Sequence, residues 1–442
     1  MTDFDLTIIG AGPGGYVAAI RAAQLKLKVA LIESTHLGGI CLNWGCIPTK
    51  ALLRSAEVLH LAQQGKEYGV VATAKADMAA MVARSRGVAD KLSAGVQYLM
   101  KKNAITVLNG VGALAGGTAN NRNVNITAKE GVKTITSKSV ILATGGRPKE
   151  IPGMEADGDR VWHYKHALKP PREPKTMIIL GSGAIGIEFA SFYSDIGVKV
   201  VVVELLPRIL PQEDSEISAM AQKLLTARGI DIKTSTKAEK LTKDSGGITL
   251  EVNGAKGKEL LKADVLLSAV GVSPNSEHIG LSTTNIKTDR GMVVTDAWGA
   301  TTEEGIYAIG DLTAPPWLAH KAEHEGVIAV ERLAGVKDLH PLNRANIPAC
   351  TYCRPQVASI GLTEDKAKEQ GRAIKVGRFP FQGNGKAIAM GETNGMAKTI
   401  FDAKTGELLG AHLIGAEVTE LIHSLTLARV LETTEAELIH SI

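Results

Sequence analysis

The sequence of 442 residues has few cysteines and little net charge, and both shortages exclude classes of protein. Four cysteines in a chain of this length do not make the disulfide framework of a small secreted protein. The formal net charge is +4, with lysine and arginine scattered, so charge gives no footprint for nucleic acid or a membrane surface. No stretch reaches about 18 uninterrupted apolar residues, and no signal-peptide pattern precedes the first predicted strand. We therefore expect a cytoplasmic or mitochondrial-matrix protein whose partners include neither nucleic acid nor a membrane.

An internal repeat organises the sequence. Residues 6–33 and 177–204 align without a gap, and each copy reads as strand, glycine-rich turn, alanine-rich helix, strand and terminal glutamate. This is the βαβ pattern of dinucleotide-binding domains. Its glycines make a tight turn, let the backbone approach a pyrophosphate, and allow close packing of helix on strand. The predicted glycines are Gly10, Gly12 and Gly15 in the first copy and Gly181, Gly183 and Gly186 in the second.

The repeat also predicts which nucleotide is bound. Glu33 and Glu204 end the second strand of their copies, where a carboxylate can accept a hydrogen bond from a ribose 2′-OH. Because a carboxylate repels a 2′-phosphate, Glu204 favours NAD over NADP. The repeat extends to residues 141–148 and 267–274, two apolar strands that run into small-residue turns. These turns are either ordinary strand ends or further dinucleotide contacts, which would come from Thr144, Gly145 and Gly271.

The order of elements predicts an α/β fold with two Rossmann-like dinucleotide-binding domains and a C-terminal α+β interface domain. We expect domain boundaries at 1–148, 149–270, 271–345 and 346–442, the third range being a central region that completes the first site. A helix is predicted over 84–102, and short strands over 105–142 with a glycine turn that brings Gly112 to the cofactor. Two further strands, 397–401 and 408–414, flank a turn at residues 405–406.

A close pair of cysteines, Cys41 and Cys46, follows directly after the first repeat, so both should lie near its dinucleotide. In a regular helix, residues five apart point about 140° away from each other, which is unsuited to a disulfide. The neighbouring glycines and proline permit a distorted turn at a helix start, where a thiol pKa is lowered. Two buried structural thiols remain the alternative. A metal site is less favoured because only two thiols are nearby, whereas structural zinc takes four ligands.

The segment GGICLNWGCIPTK, residues 38–50, resembles the redox-active disulfide motif of the class I pyridine nucleotide-disulfide oxidoreductases. Its last four residues are most similar to the dihydrolipoamide dehydrogenase branch. The resemblance covers the whole chain, including residues 305–311 and 318–326. It implies FAD in the first unit, NAD in the second, a redox-active disulfide between Cys41 and Cys46, and a homodimer built through the C-terminal domain.

The resemblance also implies roles for single residues. Asp311 would hold the FAD ribityl chain, and Ala319 would approach the flavin by its backbone. Lys50 and Glu188 would form a pair beside the flavin, although either one alone is also typical of a solvated helix charge. The implied reaction is thiol–disulfide exchange with dihydrolipoamide, or with the lipoyl domain of a 2-oxo acid dehydrogenase or glycine-cleavage complex. FAD would then pass the electrons to NAD.

The sequence departs from this family at its end. The family has a His-Pro segment with a following Glu, whose histidine acts as acid and base in the partner subunit's site. The sequence stops before such a segment. A capping box, Thr434 with Glu437, predicts the start of a helix near the end of the sequence. His440 lies in this helix without a following proline, so we interpret it as an ordinary surface histidine. Either the sequence is incomplete at its end or lipoamide turnover is impaired.

Three alternatives therefore stay open. The chain is an FAD- and NAD-binding assembly subunit, a diaphorase that lacks the terminal acid and base, or another disulfide or metal-ion reductase of the same fold. A second cysteine pair, Cys350 and Cys353, lies in the C-terminal region without a βαβ context or a second ligand pair. We interpret these two cysteines as structural.

Overall fold

The computed structural model describes residues 2–441. Its strands are β1 (Phe4–Ile9), β2 (Val29–Glu33), β3 (Thr106–Asn109), β4 (Val111–Thr118), β5 (Asn121–Ala128), β6 (Gly131–Leu142), β7 (Gly146–Pro148), β8 (Val161–Trp162), β9 (Thr176–Leu180), β10 (Lys199–Val203), β11 (Asp231–Lys233), β12 (Lys237–Asp244), β13 (Gly247–Gly254), β14 (Gly257–Ala263), β15 (Val265–Ser268), β16 (Val272–Pro274), β17 (Thr288–Asp289), β18 (Met292–Val293), β19 (Ile306–Ala308), β20 (Ala349–Thr351), β21 (Gln356–Gly361), β22 (Ile374–Pro380), β23 (Met396–Asp402) and β24 (Leu408–Gly415).

The α-helices lie between some of these strands. They are α1 (Pro13–Gln24), α2 (Gly39–Trp44), α3 (Cys46–Gln63), α4 (Met78–Lys102), α5 (Tyr164–Leu168), α6 (Ala184–Asp195), α7 (Ser215–Ala227), α8 (Ala319–Leu333), α9 (Glu364–Glu369), α10 (Gly385–Met390), α11 (Val418–Val430) and α12 (Glu435–His440).

The chain divides into two compact units, each assembled from separate stretches of sequence. The first unit contains the chain up to Pro48, Arg84–Arg147 and Val272–Leu342, and the second contains Thr49–Ala83, Pro148–Gly271 and the chain from Asn343 onward. The four domain ranges expected from the sequence do not coincide with these two units, since residues 49–83 of the expected range 1–148 fall in the second unit, and the ranges stay a prediction.

The first unit is built on a seven-stranded sheet in the order β3-β2-β1-β6-β5-β4, with β19 also paired to β6. The strands β3, β2, β1, β6 and β19 are parallel, whereas β4 and β5 join the sheet antiparallel. Parallel strands are covered on both faces, which explains the unbroken apolar run in β1, where Leu6 and Ile8 are fully buried. Small residues of α1, such as Ala18 and Ala22, pack into the same core and bring that helix close to the sheet.

The second unit contains a parallel five-stranded sheet in the order β11-β10-β9-β15-β8 and an antiparallel three-stranded sheet of β12, β13 and β14. A further antiparallel sheet, in the order β20-β21-β24-β23-β22, follows near the C-terminus. The largest core of this unit is mainly aliphatic and contains four aromatic side chains that are nearly or fully buried, Trp162, Phe189, Phe192 and Tyr193.

The predicted α/β class is confirmed, and the local predictions hold with small shifts. The helix expected over 84–102 begins earlier, at Met78. The strands expected over 397–401 and 408–414 are β23 and β24, and α12 starts at the predicted capping box of Thr434 and Glu437. Among the described residues, no helix is both long enough and apolar enough to cross a membrane.

Candidate functional site

The first glycine-rich turn joins β1 to α1 and has the geometry of a dinucleotide-binding turn. Gly10 has φ +103°, and a Cβ on Gly15 would lie 1.9 Å from the Gly10 carbonyl oxygen, so both positions require glycine. Gly12 differs, because it has ordinary extended backbone and a Cβ there would meet only Gly39 Cα, at 4.0 Å. The protein itself therefore has no need of a glycine at position 12. The space at this helix N-terminus fits the close approach of a pyrophosphate.

Glu33 at the end of β2 holds this turn in place. Its Oε2 accepts a hydrogen bond from the backbone N–H of Ala11 at 2.8 Å, and its Oε1 accepts one from the N–H of Thr35 at 2.8 Å. The carboxylate thus joins the glycine-rich turn to the loop after β2. Contact between Glu33 and a ribose hydroxyl stays a prediction.

The second turn, between β9 and α6, repeats this arrangement. Gly181 has φ +91°, and a Cβ on Gly186 would lie 2.1 Å from the Gly181 carbonyl oxygen. At Gly183 the backbone is extended and a Cβ would meet nothing within 4 Å. The buried carboxylate of Glu204 accepts hydrogen bonds from the N–H of Ser182 at 2.9 Å and from its hydroxyl at 2.7 Å. The open space at Gly183 fits a second pyrophosphate.

The two strand–turn segments contain glycines in left-handed conformations. Gly145 has φ +68° and Gly271 has φ +119°, and a Cβ at either position would meet nothing within 4 Å. The Thr144 hydroxyl donates to the Asn275 carbonyl at 2.8 Å, which fixes the first of these turns. Gly112 lies against the sheet of the first unit, where a Cβ would come within 2.9 Å of the Ile9 side chain.

Asp311 lies in a short 3₁₀ turn, Gly310–Leu312, which a buried ion pair supports. Lys321 Nζ lies 3.1 Å from Glu325 Oε1 and donates to the Gly310 carbonyl at 3.1 Å, while Glu325 Oε2 accepts from the Gly310 N–H at 2.8 Å. Burial raises the pKa of Asp311, with Lys321 lowering it and Glu325 raising it. Ala319 is the first residue of α8, so its backbone N–H belongs to a helix N-terminus.

The sequence did not single out Lys321 or Glu325. The signal that could have found them is their spacing of four residues on one helix, which places opposite charges side by side.

Cys41 and Cys46 lie on either side of a break between two helices. Cys41 is in α2 and Cys46 is the first residue of α3, with Gly45 between the helices at φ −141° and ψ −115°. A Cβ on Gly45 would lie 3.1 Å from the Ile40 carbonyl oxygen and 3.4 Å from Cys41 Cα, so the turn leaves little room for a side chain at this position. This is the distorted turn at a helix start that the sequence predicts.

Residues 37–50, which contain both cysteines and are called the cysteine segment below, are attached directly to the first glycine-rich turn. The Gly38 N–H donates to the Ala11 carbonyl at 2.8 Å, and a Cβ on Gly39 would lie 2.6 Å from Gly12 Cα. Tyr16, on α1, faces the same region, and its hydroxyl donates to Glu323 at 3.4 Å. The pKa of Tyr16 is raised to about 12, by burial first and then by the negative charge of Glu323 and of both cysteines.

Lys50 and Glu188 form an ion pair in the second unit. Lys50 Nζ lies 3.1 Å from Glu188 Oε1, and Glu188 is only 6% exposed on α6. The Tyr352 N–H donates to the same carboxylate oxygen at 2.9 Å, and the Tyr352 ring lies 4.2 Å from Lys50 Nζ. The two charges are therefore held together, and their placement beside a flavin stays a prediction.

The second cysteine pair has a different environment. Burial raises the pKa of Cys350 to about 11 and that of Cys353 to about 12, which keeps both thiols protonated at neutral pH. Neither is in a disulfide. Within residues 2–441, no group of three or more His, Cys, Asp or Glu side chains is arranged to hold a metal ion. His440 is exposed near the end of α12.

Comparison with known families gives two matches that together cover nearly the whole chain. Residues 4–326 match the family described as pyridine nucleotide-disulphide oxidoreductase, and residues 347–442 match the dimerisation domain of the same family.

Two similar proteins are dihydrolipoyl dehydrogenases. Dihydrolipoyl dehydrogenase from Rhizobium etli is 55% identical and that from Zymomonas mobilis is 53% identical, each over 99% of this chain and 94% of the relative. Among solved structures, LpdA from Mycobacterium tuberculosis superposes with a TM-score of 0.93 at 25% identity, over 99% of this chain and 95% of that one. The HOCl-induced flavoprotein disulfide reductase RclA from Escherichia coli, in a Cu(II) complex, gives 0.88 at 27% identity, over 100% and 96%.

Proposed function

Because this chain belongs to the pyridine nucleotide-disulphide oxidoreductase family, we propose that it oxidises dihydrolipoamide to lipoamide and reduces NAD. The observation that carries the proposal is the 55% identity to a dihydrolipoyl dehydrogenase over 99% of the chain. The sequence predictions of the family, of an oxidoreductase, and of FAD and NAD as cofactors are confirmed by these matches.

Each cofactor has a set of residues in the chain that suits it. The first glycine-rich turn, with Gly12 at its helix N-terminus, would take the FAD pyrophosphate, and Asp311 would take the ribityl hydroxyls. The second turn, with Gly183 in open space, would take the NAD pyrophosphate, and Glu204 favours a ribose without a 2′-phosphate. When bound, FAD accepts two electrons from the protein dithiol and passes them to NAD as a hydride.

The cysteines carry the substrate half of the reaction. A dihydrolipoamide thiolate attacks the sulfur of Cys41, the Cys41–Cys46 bond breaks, and Cys46 leaves as a thiolate. The second substrate sulfur then attacks the mixed disulfide, so that lipoamide leaves oxidised and Cys41 becomes the second thiolate. Two electrons pass to the protein, and the two substrate protons are released. Cys46 begins α3, whose positive end stabilises the thiolate.

Lys50 and Glu188, whose charged atoms lie 3.1 Å apart, would form the charged pair that the family resemblance implies beside the flavin. The working unit would be a homodimer formed through the dimerisation domain, in the cytoplasm, with a lipoyl domain of a 2-oxo acid dehydrogenase or glycine-cleavage complex as substrate carrier.

The test is NADH formation from dihydrolipoamide and NAD, followed at 340 nm, in the unaltered protein and in single cysteine variants. Cys41→Ser and Cys46→Ser should each abolish the rate because neither can complete the exchange. Cys350→Ser is the matched control and should retain it. A wild-type protein that reduces its flavin with NADH but forms no NADH from dihydrolipoamide would instead be an assembly subunit or a diaphorase.

A further inference from the structure

One face of α4 holds the cysteine segment at three backbone carbonyls. The first precedes Cys41, the second lies between the two cysteines, and the third follows Cys46. The hydrogen bonds run from Ser93 Oγ to the Leu37 carbonyl at 3.0 Å, from Arg86 Nη2 to the Asn43 carbonyl at 2.6 Å, and from Ser85 Oγ to the Pro48 carbonyl at 2.9 Å. The helix therefore restrains both ends of the distorted turn and its middle.

Arg86 makes the middle contact of the three, and it also contacts the next residue of the segment. Besides the hydrogen bond to Asn43, its guanidinium lies over the Trp44 ring, 4.5 Å from the centroid. Asn43 and Trp44 are two of the four residues that separate the cysteines. The planar guanidinium can stack on a ring with its face and donate from its edge, whereas an ammonium has no planar face to stack.

Asn43, whose backbone carbonyl accepts the hydrogen bond from Arg86, also stabilises the turn through its side chain. The Asn43 amide donates to the Leu37 carbonyl at 3.0 Å and to the Gly39 carbonyl at 2.9 Å, so it ties α2 to the chain that precedes it. Immediately afterwards the helix breaks at Gly45. A displacement of Asn43 would therefore move Cys41 relative to Cys46.

We propose that Arg86 is a positioning residue for the Cys41–Cys46 pair. It fixes Asn43 and Trp44, which lie between the two cysteines, and places a positive charge on the turn that joins them. The proposal rests on the proposed function, because it assigns Arg86 to the exchange that these cysteines perform. A fixed cation near a thiol favours the thiolate, which is the nucleophile and also the leaving group of the exchange.

The experiment compares the reduced holoenzyme of the unaltered protein with Arg86→Met, Arg86→Gln and Arg86→Lys. The rate of alkylation of Cys41 and Cys46 by iodoacetamide is measured from pH 5 to 10 by mass spectrometry, and gives the thiol pKa values. Equilibration with glutathione buffers then gives the reduction potential of the pair. Lys91→Met, which removes one positive charge from an exposed position on the same helix, is the matched control.

Arg86→Met and Arg86→Gln should each raise the thiol pKa by about one unit and slow alkylation at pH 7 by about tenfold. Arg86→Lys keeps the charge but loses the planar group that stacks on Trp44, so its thiol pKa should fall between those of the unaltered protein and the uncharged variants. Lys91→Met should stay within about threefold of the unaltered protein. If one uncharged variant fails to fold, the other still gives the comparison. Uncharged variants with the unaltered thiol pKa and potential would overturn the proposal for Arg86. An unaltered protein whose Cys41 and Cys46 form no reducible disulfide would instead overturn the proposed function.

Discussion

A buried carboxyl in the second unit gives a quantitative prediction for stability. Glu213, just before α7, is only 7% exposed, and its Oε2 has no hydrogen-bond partner within the part of the chain that the structure describes. A hydrogen bond from Ser359 and the charge of Lys366 favour ionisation, whereas burial and the neighbouring Asp214 oppose it. Burial dominates and raises the pKa of Glu213 from 4.5 to about 7. The change that tests this is Glu213→Gln, which keeps the size and removes the titration.

The magnitude follows from the difference between the folded and unfolded pKa. An acid whose pKa is raised by folding stabilises the fold fully below the unfolded value, here 4.5, and this stability is lost as pH rises towards about 7. The difference of 7 − 4.5 units, at about 1.4 kcal/mol each, corresponds to about 3 kcal/mol. Near pH 8 the unaltered protein therefore carries a buried charge that Glu213→Gln does not carry.

The assay is urea unfolding of the second-unit core at pH 5 and at pH 8.5, with Glu369→Gln, an exposed carboxyl on α9, as the control. The free energy of unfolding of Glu213→Gln, relative to the unaltered protein, should rise by about 2–3 kcal/mol between the two pH values, because pH 5 already lies slightly above the unfolded pKa. A hydrogen bond altered by the amide shifts both values equally and cancels. The reasoning would be refuted if the free energy of unfolding of Glu213→Gln, relative to the unaltered protein, were the same at both pH values, as is expected for Glu369→Gln.

Two further predictions concern the cofactor and the ion pair. Gly183→Ala should leave thermal stability unchanged, because its Cβ meets nothing within 4 Å. It should weaken NADH binding about tenfold or more, measured by fluorescence titration, because the new methyl group fills the space for the pyrophosphate. An unchanged affinity for NADH would contradict this prediction. Glu188→Gln should lower the free energy of unfolding by about 1–3 kcal/mol because Lys50 loses its countercharge. The loss should be smaller in a Lys50→Met background, and additive losses measured by denaturant unfolding would show that the pair is not coupled.

Much of the fold could be predicted because its signals are local in sequence. Gly15 and Gly186 are required by contacts within the same turn, Gly10 and Gly181 have positive φ at the start of that turn, and the apolar strands on either side have a recognisable period. The break between α2 and α3 could be predicted for the same reason, since Gly45 stands beside the residues that it separates.

The remaining features depend on residues that are distant in sequence. The three hydrogen bonds from α4 to the cysteine segment join residues 37 to 56 positions apart. Nothing in the local pattern distinguishes Arg86 from an exposed helix arginine. The sequence predicts that the carboxylates of Glu33 and Glu204 face a ribose. Their hydrogen bonds to the glycine-rich turns could not be predicted, because they depend on how the backbone folds.

The most direct test of the central claim is anaerobic titration of the FAD-containing protein with dihydrolipoamide, followed by addition of NAD, with the visible spectrum recorded throughout. We predict a long-wavelength charge-transfer band at two-electron reduction, because Cys46 would lie as a thiolate against the flavin, and discharge of that band by NAD with NADH formed. An unchanged spectrum with dihydrolipoamide, in a protein whose flavin is still bleached by NADH, would contradict the claim that this chain carries out the dithiol half of the reaction.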